Sequence, residues 1–169
     1  MATSIDKLID EIISRETGGD SKGGFTNDPR DAGGRTIWGI SERANPDLWV
    51  NGPPTREQAV ERYFNRYVKA PGFDKVTDPR LQAQLTDWGV LSGPSVAIQK
   101  LQGLVGATID GVLGPKTLAL VNSHPEPTRL NNQLALERVK MVARIIQRSP
   151  SQSKFAVGWI TRCLEFVKW

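Results

Sequence analysis

The chain has 169 residues, 38% hydrophobic and 24% charged, which suits one globular unit or a domain with a small appendage and excludes wholesale disorder. One cysteine and one histidine exclude a disulfide framework and argue against metal or histidine-based nucleophilic chemistry: there is no HExxH and no CxxC, and His124 lies in the loop "NSHPEPT". The formal charge of +4 is unevenly spread, because residues 129–169 hold 8 basic and 2 acidic groups, a net +6 that prefers a polyanion such as nucleic acid, an anionic membrane or a cell-wall polymer.

No run of about 18 apolar residues exists to span a bilayer, and "MATSIDKLIDEIISRE" is charged every few residues, so neither a membrane helix nor a secretory signal is expected. After Ser4 as N-cap, Ile5, Leu8, Ile9, Ile12 and Ile13 form the stripe of a core-facing helix. Glu16 continues that stripe where Gly18 and Gly19 end the helix, so its carboxylate is expected on the buried side. "GGFTND" and "GRTIWGIS" read as two short strands around the turn "PRDAGG", with Asp28 and Asp31 at the bend and Thr36 opening the return strand.

From Thr55 onward the pattern is helical. "TREQAVERYFNRYV" opens with a capping box of Thr55 and Gln58 and buries Ala59, Val60, Tyr63, Phe64 and Tyr67. "PRLQAQLTDWGVLSG" turns Leu81, Leu85 and Trp88 inward, and "PSVAIQKLQGLVG" follows with Val96, Ile98, Leu101 and Leu104. "GPKTLALVNS" starts a helix at Pro115, "RLNNQLALERVKMVARIIQR" carries a wide apolar face, and "SKFAVGWITRCLEFVKW" puts Phe155, Trp159, Cys163 and Phe166 on one stripe. With no long linker between them, these elements predict a mainly α fold with one small N-terminal β-hairpin.

Without a metal or a histidine base, paired carboxylates are the main enzymatic route left. Burial of Glu16 against isoleucines would favour its protonated form, as a general acid requires, while a second carboxylate in a polar loop would stay ionised. Two carboxyls in such diverging environments are a signature of glycosidic bond cleavage. Trp38, Trp49 and Tyr63 offer flat faces for a sugar cleft, and Trp88 reads as core.

The run "TNDPRDAGGRTIWGIS" resembles the glycoside hydrolase family 108 muramidases, phage endolysins with a lysozyme-like fold, over some sixteen positions. In that pattern a helix ends in Glu-Gly-Gly-aromatic, whereas this chain reads "ETGGDSKGGF", with Lys22 directly before "GGF". An ungapped match would replace the acid by lysine; an insertion of about six residues keeps Glu16 as the acid, in agreement with helix phase. The resemblance then implies Glu16 as proton donor, Asp31 as second carboxylate with Asp28 as its rival, and Thr36 holding a water. Asp20, in the extra loop, reads as a solvated charge.

Residues 97–121, "AIQKLQGLVGATIDGVLGPKTLALV", resemble peptidoglycan-binding helical modules, although Asp110-Gly111 and Gly114-Pro115 read equally as structural punctuation. The two resemblances imply a muramidase region over 1–92 and a peptidoglycan-binding-like region over 93–169, packed into one globular unit. The expected partner is the peptidoglycan glycan strand, with no cofactor, no nucleic acid, and a monomeric state. Trp159, Phe166 and Trp169 among Lys154, Arg162 and Lys168 would also suit an anionic outer membrane. Synthesis in the host cytoplasm and action on the periplasmic wall after membrane permeabilisation complete the expectation. The alternatives are a lytic transglycosylase and a non-catalytic wall-binding protein.

Overall fold

The computed structural model describes residues 4–28 and 33–168. Seven α-helices dominate these residues, and they group into two compact units, Met1–Ala70 and Pro71–Trp169.

In the first unit, helix α1 spans Ser4–Glu16 and buries Leu8, Ile9, Ile12 and Ile13, the stripe its periodicity predicts. Strands β1 (Thr36–Ile37) and β2 (Ile40–Ser41) pair antiparallel, Thr36 with Ser41 and Ile37 with Ile40. Helix α2 (Arg56–Phe64) starts with the expected capping box: the Gln58 N–H donates to Thr55 Oγ1 at 3.3 Å, and the Thr55 N–H to Gln58 Oε1 at 2.8 Å. It continues into a π-helical turn, Asn65–Lys69, which buries Val68. Helix α2 packs on α1, where Ala59 and Tyr63 enter the core.

The hairpin differs from expectation. "GRTIWGIS" is not one return strand but a complete hairpin turning at Trp38-Gly39, and "GGFTND" contributes a single bridge, Thr26 with Thr36. A two-residue hairpin loop of type I′ needs positive φ at both positions, and Trp38 (54°) and Gly39 (73°) supply it. Glycine does so freely, but tryptophan does not, so nothing in the residue types announces this turn. The expected bend "PRDAGG" falls largely on residues 29–32, outside the described residues.

The second unit contains α3 (Pro79–Ser92), α4 (Pro94–Val105), α5 (Pro115–Asn122), α6 (Pro127–Arg148) and α7 (Ala156–Leu164). Asp78 caps α3 by accepting the N–H groups of Arg80 (3.0 Å) and Leu81 (2.9 Å). Its core gathers Phe73, Leu81, Leu85, Trp88, Leu101, Leu130 and Leu134 from helices that pack α3 on α4, and both on α6. Cys163 is buried, as its place on the α7 stripe implies.

The Leu-Gln…Asp-Gly segment has a local physical explanation. The Gln102 side chain is fully buried; its Nε2 donates to Asp110 Oδ1 (2.7 Å) and the Val112 carbonyl (2.9 Å), while its Oε1 accepts the N–H groups of Asp110 (3.1 Å) and Gly111 (2.9 Å). One amide thus latches the α4–α5 connection, and Gly111 (φ 76°) turns the chain where a side chain would strike Ser95.

Candidate active site

The end of α1 is closed by a loop that leaves and returns to one place. Asp20 is exposed, as expected, and also accepts the backbone N–H groups of Lys22 (2.8 Å) and Gly24 (3.2 Å), so it organises the turn. At Gly24 an added Cβ would lie 3.2 Å from the Thr17 backbone, which means residues 18–23 form an excursion that starts and finishes beside Thr17. Gly23 then lies flat against the Trp38 indole, 2.6 Å from it by the same measure, and its carbonyl accepts the Trp38 N–H at 2.8 Å. The second Gly-Gly is therefore the one that packs at the site, and Lys22 is exposed on the excursion.

Glu16 is the last residue of α1 and is exposed. The expected burial against isoleucines is absent, because the helix ends at this residue and its core-facing stripe stops at Ile13. What Glu16 does meet is the hairpin turn: a Cβ on Gly39 would stand 3.2 Å from Glu16 Cβ and 3.5 Å from its Cγ, and would collide with the Tyr63 hydroxyl. Tyr63 is buried, and burial first, then the Glu16 charge, push its hydroxyl well above the ordinary tyrosine range. Glu16, Gly39 and Tyr63 therefore form one contiguous patch in which only glycine fits the middle place.

Thr36 joins two ladders. It exchanges backbone bonds with Thr26 (2.9 and 3.0 Å) and pairs with Ser41, and its hydroxyl donates to the Gly34 carbonyl at 3.4 Å. Asp28 is half-buried two residues beyond Thr26, and Asp31 lies outside the described residues. Trp38 is half-buried in the turn beside Glu16. Trp49 and Tyr63, expected as cleft walls, are instead buried, at 5% and 6% exposure. The Arg35 guanidinium stands 5.0 Å over the Trp49 ring.

Sequence reasoning missed the pair that staples this hairpin. Arg35 Nη2 and Nε donate to Glu42 at 2.6 and 2.8 Å, and that bond lowers the Glu42 carboxyl below the usual range while raising Arg35. The signal was available only with the register of the hairpin in hand. A groove of about 660 Å³ on the same unit, lined by Gln58, Glu61, Arg62 and Arg66, was also unforeseen. Among the described residues no three His, Cys, Asp or Glu side chains gather as a metal site requires.

A carboxylic acid beside a glycine turn, next to an aromatic floor, agrees with what the chain resembles. Residues 10–93 match the family model of glycosyl hydrolase 108, and residues 94–164 match that of a predicted peptidoglycan domain. The chain joins a glycosyl hydrolase 108 domain to a predicted peptidoglycan domain. A solved structure described as Brucella abortus SagA is similar over 95% of this chain and 91% of that one, at 26% identity and a TM-score of 0.67. No curated protein matches the chain.

These findings carry the mainly α, lysozyme-like fold, and they make the glycosyl hydrolase 108 chain a protein that degrades or binds peptidoglycan. The boundary between the two family models falls at 93/94, between α3 and α4, whereas the compact units divide at Ala70 and Pro71. Helix α3 therefore belongs to the hydrolase sequence while packing on helices of the peptidoglycan domain.

The basic excess of the C-terminal segment is also not all surface charge. Arg138 is buried, and Arg162 directs its guanidinium onto the buried Asp87 at 2.7 and 3.0 Å, so the latter is withdrawn from the basic face expected to meet an anionic membrane. No helix among the described residues is long and apolar enough to cross a membrane.

Proposed function

We propose that this chain is an endolysin-type muramidase that cleaves the β-1,4 bond between N-acetylmuramic acid and N-acetylglucosamine and thereby lyses a host cell. Glu16 is the proton donor, and the observation that carries this is its place at the end of α1, against the Gly39 turn that only a glycine can make. The closed excursion of residues 18–23 supports reading the extra residues as an insertion, which leaves Glu16 rather than Lys22 as the acid.

In the free protein the Glu16 carboxyl faces water. A sugar ring laid over the Trp38 turn would exclude that water from the carboxyl that donates the proton. Asp28 or Asp31 then activates or orients a water on the opposite face of the ring, with Thr36 helping to hold it, an inverting arrangement. For Thr36 this requires its hydroxyl to exchange the long bond to the Gly34 carbonyl for the water. Trp38 forms the sugar-stacking wall; the buried Tyr63 and Trp49 act from beneath, by supporting the turn and the hairpin. The same reading has the protein act on the periplasmic wall once the membrane is breached, with Lys154 and Lys168 left to meet anionic surfaces.

The test is mass spectrometry of purified peptidoglycan digested by the wild type and by Glu16→Gln. Reducing N-acetylmuramic acid ends that vanish in the variant are the expected result. Anhydro ends would replace hydrolysis by transglycosylation, and an absence of fragments from folded wild type would leave a wall-binding protein.

A further inference from the structure

The second unit contains a cavity of about 350 Å³ whose walls are Trp88, Leu91, Met141, Val142, Ile145 and Trp159, with Ser92, Arg138, Arg162 and Cys163 completing the lining. Its polar side is unusual. Asp87, fully buried, accepts from Arg138 Nη2 at 2.6 Å and from Arg162 Nη2 at 2.7 Å and Nε at 3.0 Å. Among the described residues these two guanidinium groups share that one carboxylate. Arg138 is 2% exposed, is held between the Trp88 and Phe166 rings at 5.6 and 5.3 Å, and its Nη1 has no hydrogen-bond partner. The buried Trp88 Nε1 is also without one.

Leaving buried charged and polar donors such as Arg138 Nη1 and Trp88 Nε1 unpaired is costly, and an anion with its own acceptors would relieve it. Arginine, tryptophan and serine supply donors here, while the remaining walls are apolar. The matching ligand combines a carboxylate, at least one further carbonyl acceptor and small apolar groups. A hydrocarbon acid provides only the first of these acceptors; the carboxyl end of a short peptide provides both.

We infer that the cavity between α3, α6 and α7 is a binding site for the terminal carboxylate of a peptidoglycan stem peptide, read by Arg138 and Arg162 with the methyl groups of its alanines against the apolar wall. This deepens the assignment of residues 94–164 to a peptidoglycan domain, with α3 contributed by the residues that match glycosyl hydrolase 108, and is independent of the chemistry at Glu16. Such a site would hold the enzyme on the wall through the peptide while the glycan is processed elsewhere.

Calorimetric titration of the full chain with N-acetyl-D-alanyl-D-alanine tests it, with the C-terminal amide of the same dipeptide and decanoate as comparison ligands. The expected result is saturable binding of the dipeptide acid, with the amide weaker by about ten-fold or more for loss of the charged hydrogen bonds. Ile145→Trp, which fills the wall without touching Asp87, should abolish binding while the melting temperature is kept, and Arg162→Gln should weaken it. Glu16→Gln should bind the dipeptide as the wild type does, so failure of the muramidase reading leaves this result intact. Equal binding of acid and amide, saturation by decanoate without binding of the dipeptide, or no binding of the dipeptide at all would each overturn the proposal.

Discussion

Gly39 stands so close to Tyr63 that any side chain on it would run into the Tyr63 hydroxyl, and its φ of 73° is one that L residues avoid. Gly39→Ala therefore meets two penalties together and is expected to destabilise the protein by about 2–4 kcal/mol, with loss of peptidoglycan hydrolysis because Glu16 leans on the same turn. Gly52→Ala is the comparison: its φ is also positive, at 105°, but nothing lies within 4 Å of the added carbon. Chemical denaturation of the two variants should separate backbone strain from collision, and equal losses would remove the collision from the account.

Tyr63 makes a prediction with pH. Its hydroxyl is pushed up by burial and by the Glu16 charge, so the folded state holds the phenolic proton more tightly than the unfolded chain does. The stability this represents is fully present below the ordinary tyrosine value of about 10 and is lost as pH rises above it. Urea unfolding followed from neutral to alkaline pH should show a decline that Tyr63→Phe makes shallower. The same decline in the variant would place its origin elsewhere.

Periodicity and capping were enough to read the helices, because each depends on neighbours within a turn or two: the isoleucine stripe of α1 and the Thr55–Gln58 box are local facts. Glu16 illustrates the limit of that reading. Helix phase places it on the core side, but phase says nothing of where the neighbouring core stops, and Glu16 lies one turn beyond it. The Trp38-Gly39 turn was hidden because tryptophan rarely takes positive φ, and Trp49 was assigned to the cleft because nothing local reveals Arg35 over its ring. Asp87 bonds arginines 51 and 75 residues away, a pairing that only the packed helices create.

Lys22 and Glu16 can be separated directly. If the excursion closed between Thr17 and Gly24 is an insertion, Lys22→Gln leaves hydrolysis at the wild-type rate while Glu16→Gln lowers it by about 100-fold or more, the range for loss of a general acid. Initial rates on purified peptidoglycan decide between them. A loss with Lys22→Gln equal to that with Glu16→Gln would return the acid position to the other alignment.

Gln102 holds five partners with one buried amide, so Gln102→Leu strips the Asp110 and Gly111 N–H groups of their acceptor as well as removing the donor. An expected cost of about 2–4 kcal/mol follows from unsatisfied groups in a site that an apolar side chain cannot serve. Asp110 adds a pH signature: the Gln102 bond lowers its carboxyl, so its contribution is present above the usual carboxylate range and fades as pH falls through the lowered value. Hydrogen exchange at Asp110 and Gly111 should accelerate in Gln102→Leu more than at the core of α3. Unchanged exchange would show that the loop is held by other means.

Asp87 compensates two guanidinium groups inside the second unit, and its removal leaves both behind. Breaking a buried ion pair from one side typically costs about 3–5 kcal/mol, since the surviving charge loses its partner where water cannot replace it. Asp87→Ala is therefore expected to be among the most damaging single changes in this unit. The energetics predict a partial rescue: Asp87→Leu combined with Arg138→Met and Arg162→Leu removes all three charges together and should recover most of the loss in urea unfolding. A triple variant as unstable as Asp87→Ala would mean that the hydrogen-bonded geometry of the triad, rather than charge compensation, holds α7 against α3 and α6.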